Sequence, residues 1–77
     1  MRHMRDFEFL EGVVRAGSIR KAAEDMNITA SALNRRINRF EAELGFETFV
    51  RLPRGVSLNP AGELLLHHIR TQRSDFS

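Results

Sequence analysis

The sequence contains no cysteine, tryptophan or tyrosine and only two prolines among its 77 residues. Without cysteine, disulfide bonds and cysteine-ligated zinc sites are excluded. The longest apolar run is the three leucines at residues 64–66, which is far short of a membrane span, and no signal-peptide pattern opens the chain. The sequence therefore predicts a soluble intracellular protein of the cytoplasm with no membrane partner.

A catalytic role has no support in the residues present. A chain of 77 residues is one small domain with little room for a deep substrate cleft, and it has no glycine-rich phosphate loop. Ser18 and Ser31 lack the context of a nucleophile with its base. His67 and His68 are adjacent, so on a helix they point to different faces and do not form a metal pair. We expect no enzyme activity, no metal site and no cofactor.

The distribution of charge is more informative than the net charge of +2. Eleven of the twelve basic residues are arginine, the side chain suited to planar contact with phosphate and guanine. Residues 18–39 carry five basic side chains against two acidic ones, a net charge of +3, whereas residues 1–17 sum to zero. This pattern favours a nucleic-acid-binding surface, with a merely solvated charged face as the alternative.

Helical spacing and capping residues predict two helices in the first third of the chain. A helix over residues 5–15 follows from its apolar stripe: Phe7, Phe9, Leu10, Val13 and Val14. Gly17 ends this helix, and Ser18 is a suitable N-cap for a second helix over residues 19–26. Asn27 tolerates left-handed backbone and therefore suits the C-terminal end of the second helix.

Thr29 is predicted to cap a third helix that runs to about Leu44 and ends at Gly45. Its buried stripe consists of Leu33, Ile37, Phe40 and Leu44. At 100° per residue, the opposite side carries polar and basic side chains: Ser31, Asn34, Arg35 and Asn38, with Arg39 at the edge. This side has no carboxylate before Glu41. A helix face that only contacts solvent normally carries acidic as well as basic residues.

Two short segments with strand character, residues 49–51 and 56–58, flank a turn that contains Pro53 and Gly55. Arg54 is therefore expected at the tip of a β-hairpin. Two helices joined by a tight turn and followed by a hairpin are typical of a winged helix-turn-helix domain. We predict a mainly α fold with a three-helix core and a two-stranded wing, used for DNA binding or for protein contacts.

A fourth helix is predicted after the wing. Asn59 suits its N-cap and Pro60 its first position, and the pattern extends to about Gln72. The leucines at residues 64–66 point about 100° apart, so they cannot all face one core. We expect one side of this helix to pack on its own domain and another to contact a second chain.

Three segments, in order and with matching spacing, resemble the N-terminal DNA-binding domain of LysR-type transcriptional regulators. They are Phe9-Leu10 with GSIRKAAEDMNIT at residues 17–29, ALNRRINRFEAELG at residues 32–45, and FVRLPRGVSLNPAG at residues 49–62. The resemblance covers about residues 6–70. It implies a bacterial regulator whose winged helix-turn-helix occupies residues 1–58, with the helix-turn-helix at about 18–37 and the wing at about 46–58.

The resemblance also implies partners. The operator is double-stranded DNA with two half-sites, and the protein is associated with the nucleoid. The linker and dimerisation helix that starts at residues 59–77 pairs two chains into a homodimer, or a tetramer in the full-length protein. A separate C-terminal domain, absent here, binds a small-molecule effector. The alternatives are a stand-alone winged-helix regulator without an effector domain and a winged-helix protein-interaction module.

Site residues are carried over position by position. The residues that resemble the base-reading set are Ser31, Asn34 and Arg35. Those that resemble phosphate contacts are Arg20, Lys21, Thr29, Arg36, Asn38 and Arg39; for the last three a solvated side chain is the alternative. Arg54 resembles the arginine that the wing inserts into the minor groove. The residues expected in the dimer interface are Leu65, Leu66 and Ile69.

The chain departs from the family pattern at three positions. Ala30 stands where the family often has glutamine, which reduces any base contact there to an apolar one. Asn34 stands where serine is common and has the geometry to pair with adenine. Thr48 stands where leucine is usual, and we expect this change to weaken the packing of the wing.

Overall fold

The computed structural model describes the backbone of residues 2–74 and the side chains of residues 8–72. Over these residues the chain forms four helices and one antiparallel two-stranded sheet, which confirms the predicted mainly α winged helix-turn-helix fold. In chain order the elements are α1 (Arg2–Ala16), α2 (Ile19–Met26), α3 (Ala30–Leu44), β1 (Phe49–Leu52), β2 (Gly55–Leu58) and α4 (Pro60–Ser74).

The helix ends follow the predicted capping chemistry. The side-chain oxygens of Ser18, Thr29 and Asn59 accept hydrogen bonds from the backbone N–H groups three residues on, over 3.1, 3.1 and 2.7 Å. Asn27 ends α2 in the left-handed conformation, with φ of 60°. The helix α1 begins about one turn before the predicted residue 5, because no proline or glycine interrupts the chain there.

The hydrophobic core lies where α1, α2, α3, β2 and α4 meet. Its buried residues are Phe9, Leu10, Val13, Ala22, Ala23, Leu33, Ile37, Phe40, Val56 and Leu66. The rings of Phe9 and Phe40 meet edge to face, with centroids 5.4 Å apart. The predicted stripe of α3 is therefore confirmed, with Leu44 half-buried at its end. Phe7, predicted for the stripe of α1, lies outside the described side chains.

The wing is a tight hairpin that is docked on the helices. Leu52 pairs with Gly55, so both strands are one residue longer than predicted and the turn consists of Pro53 and Arg54. The N–H of Val56 donates to the carbonyl oxygen of Gly17 over 3.0 Å. At Gly55, φ is 149° and a Cβ atom would overlap that same carbonyl oxygen, so this position requires glycine. The wing is thereby held beside the N-terminus of α2.

The structure does not show the weak packing that was expected around Thr48. Thr48 is fully buried, and its hydroxyl donates to Glu41 Oε2 over 3.0 Å. The same carboxylate oxygen accepts the backbone N–H groups of Thr48 and Phe49 over 2.6 and 3.1 Å. A threonine is accommodated here because a carboxylate from α3 satisfies its hydroxyl group. These bonds join the end of α3 to the start of the wing.

The helix α4 returns to pack on α1. Arg70 donates to Glu11 Oε2 over 3.1 Å, and Leu66 is only 4% exposed. The prediction of Leu66 as a dimer contact is therefore wrong, because its side chain already fills the core of its own domain. Leu65 and Ile69 are half-buried against the core. Leu64, which is 72% exposed, is the leucine that points away from the domain.

Candidate nucleic-acid interface

The exposed side of α3 carries the polar and basic side chains that the helical spacing predicted. Ser31, Arg35, Asn38 and Arg39 are exposed, and Asn34 is half-buried beside the wing. No acidic residue occurs in residues 30–40, and the next one, Glu41, is turned towards Thr48. The structure therefore places a continuous uncharged and cationic surface along the first three turns of α3.

The wing contributes a contact to this surface that the sequence reasoning missed. Arg51 of β1 donates from Nη2 to Asn34 Oδ1 over 2.7 Å. The signal for it lies in the strand alternation: Arg51 pairs with Val56, whose side chain is buried, and paired residues lie on one face of a sheet. Arg51 therefore lies on the face of the hairpin that looks towards α3.

The N-terminus of α2 presents Arg20 and Lys21, both exposed. Arg20 Nε lies 3.9 Å from Glu24 Oε2, and both side chains are exposed. An ion pair this exposed is too weak to hold the guanidinium in place. Because the wing is bonded to Gly17, this end of α2 lies next to the hairpin. The hydroxyl of Thr29 caps α3 and lies 3.4 Å from that of Ser31.

The structure does not place Arg36 with the other predicted phosphate contacts. Its guanidinium lies over the ring of Phe9, 4.7 Å from the centroid. It also borders a shallow pocket lined by Glu8, Met26 and Ile28. Arg36 is two residues from Asn34 and therefore about 200° around α3 from it. The side chain lies on the surface between α1 and α3, which favours the alternative that Arg36 does not contact phosphate.

Arg54 occupies the second position of the hairpin turn, where it is exposed, as predicted. It lies beyond Arg51 on the same wing, so two cations project from the hairpin.

Among residues 2–74, no helix combines the length and the apolar content that crossing a membrane would need.

A helix with a polar and basic exposed side, a helix before it across a tight turn, and a basic wing beside it define a winged helix-turn-helix domain of the DNA-binding class. A protein-family model described as the bacterial regulatory helix-turn-helix protein, lysR family, matches residues 4–63. The chain therefore belongs to the LysR family of transcription regulators.

Curated relatives agree with this placement. The uncharacterized HTH-type transcriptional regulator y4mQ of Sinorhizobium fredii is 47% identical over 58 residues, which are 75% of this chain and 20% of that protein. The HTH-type transcriptional regulator YofA of Bacillus velezensis is 43% identical over 61 residues, 79% of this chain and 21% of that protein. The chain thus spans about a fifth of the length of these relatives.

Solved structures show the same fold. The complex of CbnR_DBD with DNA matches with a TM-score of 0.79 and 27% identity, over 91% of this chain and 80% of that one. The complex of BenM_DBD with benA site 1 DNA matches with a TM-score of 0.79 and 29% identity, over 94% of this chain and 84% of that one.

Proposed function

We propose that the chain binds double-stranded DNA sequence-specifically, as the DNA-binding part of a LysR-like bacterial transcription regulator. The observation that carries this proposal is the exposed side of α3, which has no acidic residue over residues 30–40 and lies beside a wing bearing Arg51 and Arg54. A helix fits the major groove, and its polar side chains reach the base edges there. The structural likeness to the two DNA complexes supports the same conclusion.

Within this proposal the side chains divide into three groups. Ser31, Asn34 and Arg35 read bases, because they lie in the first two turns of α3 on its exposed side. Arg54 enters the minor groove beside the site. The phosphate contacts are Arg20, Lys21, Thr29, Asn38 and Arg39.

The assembly forms the second part of the proposal. Residues 1–58 are the DNA-binding unit, and residues 59–77 begin a linker helix that pairs two chains through the side of α4 carrying Leu64 and the half-buried Leu65 and Ile69. Two paired domains then contact two half-sites of one operator, spaced by whole helical turns of about 34 Å. A small-molecule effector would act through a further domain, and the regulator would work in the nucleoid.

Replacing Lys21 with alanine should weaken binding to all DNA sequences about equally. A domain with about 4–6 phosphate contacts loses affinity as salt rises, with a logarithmic slope of about 0.9 per contact. Lys21→Ala should reduce that slope by about one, measured by fluorescence anisotropy from low to moderate salt. Lys21→Arg, which keeps the charge, should retain the slope of the parent. A parent affinity that does not change with salt would exclude DNA and favour a protein-contact module.

Replacing Asn34 with alanine should relax base choice at one or two positions of the operator. A bidentate asparagine–adenine pair discriminates by about 1–3 kcal/mol, which is an upper limit here because Asn34 Oδ1 also accepts from Arg51, and alanine removes the whole amide. Selection from randomised sites should show the loss as flattened columns in the sequence logo, whereas Lys21→Ala leaves the logo intact. Identical logos for the parent and Asn34→Ala would show that this side of α3 does not read bases.

A further inference from the structure

We propose that Arg51 determines the base preference of Asn34 by fixing the orientation of its side-chain amide. The inference rests on the proposed function, because it concerns how a base-reading side chain is aimed. In this role Arg51 is a positioning residue that acts through Asn34, and it gives the wing a part in sequence reading in addition to the minor-groove contact of Arg54.

The orientation follows from the chemistry of the two groups. A guanidinium has donors and no acceptor, so only the oxygen of an amide can face it. Arg51 Nη2 donates to Asn34 Oδ1 over 2.7 Å, a length typical of charge-assisted hydrogen bonds. Since the oxygen and nitrogen of an amide point in different directions from their shared carbon, Nδ2 of Asn34 does not face the guanidinium and stays available as a donor.

Hydrogen bonds and packing hold the backbone in place at both Arg51 and Asn34. Arg51 pairs with Val56, whose N–H is bonded to the carbonyl oxygen of Gly17. Two residues before Arg51, the N–H of Phe49 is bonded to Glu41. Asn34 lies one position after the fully buried Leu33 of α3. The wing and the helix therefore fix the distance across which Arg51 holds the amide.

A fixed amide prefers some bases over others. With Nδ2 directed away from the wing, Asn34 offers a donor to a base edge. In the major groove adenine, guanine and thymine each present at least one acceptor, whereas cytosine presents only its N4 amino donor. The parent should therefore disfavour cytosine at the position that Asn34 contacts. Without Arg51 the amide can turn over and offer its oxygen to cytosine.

The test is randomised-site selection with the parent, Arg51→Ala, Asn34→Ala and the double variant. The columns that flatten in Asn34→Ala should also flatten in Arg51→Ala, where the frequency of cytosine should rise about two- to tenfold, the range expected for releasing one ordered side chain. The double variant should match Asn34→Ala in those columns. Arg54→Ala is the matched control: it removes a cation from the same wing but should leave those columns as they are.

Arg51→Gln tests the donor-only character of the guanidinium. Glutamine keeps a polar side chain but carries an acceptor as well as donors, so it can face either atom of the Asn34 amide and should relax the Asn34 columns. This variant also decides the question if Arg51→Ala fails to fold, as monitored by circular dichroism.

Three results would overturn the proposal. One is an unchanged logo in Arg51→Ala with a salt slope lower by about one, which would make Arg51 a simple phosphate contact. Another is a parent logo in Arg51→Gln, and the third is a parent logo in Asn34→Ala. A parent chain that selects no DNA sequence would instead refute the proposed function itself.

Discussion

Replacing Leu66 with aspartate is expected to unfold the domain, whereas the same change at Leu64 is expected to leave it folded. Leu66 is 4% exposed in the core, while Leu64 is 72% exposed. Removing a buried leucine side chain costs about 2–5 kcal/mol, and burying a carboxylate adds to that loss. A domain of this size has a total stability of only about 4–12 kcal/mol. Thermal denaturation followed by circular dichroism should show no cooperative transition for Leu66→Asp and a near-parental one for Leu64→Asp.

Sedimentation of the same variants tests which side of α4 pairs two chains. Leu64→Asp should shift a concentration series of the folded chain towards monomer, because it places a charge in the proposed interface. It should also weaken binding to an operator with two half-sites more than binding to one half-site. A Leu66→Asp variant that melts like the parent would contradict the burial argument. A folded Leu64→Asp variant that sediments like the parent would remove this side of α4 from the interface.

The features that the sequence predicted correctly are set by neighbouring residues. Ser18, Thr29 and Asn59 cap helices because their side chains reach backbone N–H groups three residues away. The stripe containing Leu33 and Ile37 depends only on the period of one helix. Such features do not depend on where other elements lie, so they can be predicted from the sequence alone.

The features that it missed depend on how elements pack against each other. The spacing showed that the leucines at residues 64–66 cannot share a face, but it did not identify which one meets α1. Arg36 was grouped with Arg39 among the phosphate contacts of the same helix, yet its guanidinium lies over the ring of Phe9 from α1. The Arg51–Asn34 contact joins residues 17 positions apart and depends on the docking of the wing.

Glu41 shows why a departure from a family pattern is difficult to judge from the sequence. Thr48 alone suggested a weaker wing, because a hydroxyl group replaces an apolar side chain at a buried position. The compensating carboxylate lies seven residues earlier in α3, at a position that a helical wheel shows only as one more surface acid. Its partner becomes evident only when the loop between α3 and β1 is in place.

Replacing Glu41 with alanine should lower stability by about 2–4 kcal/mol. The change removes one carboxylate oxygen that accepts three hydrogen bonds and leaves the donors of Thr48 and Phe49 without it. For a domain of 60–100 residues, 1 kcal/mol corresponds to about 4–8 °C in melting temperature, so the loss should be roughly 10–30 °C. Because these bonds hold the start of the wing, DNA affinity should also fall at temperatures where the domain remains folded.

Milder substitutions at Glu41 and Thr48 should lower stability in proportion to the number of hydrogen bonds that each one removes. Glu41→Gln keeps one oxygen with two lone pairs, so it should lie between the parent and Glu41→Ala. Thr48→Val removes the hydroxyl but leaves both backbone donors bonded to Glu41, and should therefore cost less than Glu41→Ala. Glu47→Ala, at an exposed position in the same loop, is the matched control and should melt within a few degrees of the parent. If Glu41→Ala melts alongside Glu47→Ala, the carboxylate is not what holds the wing to α3, and the buried Thr48 must be stabilised by the packing around it instead.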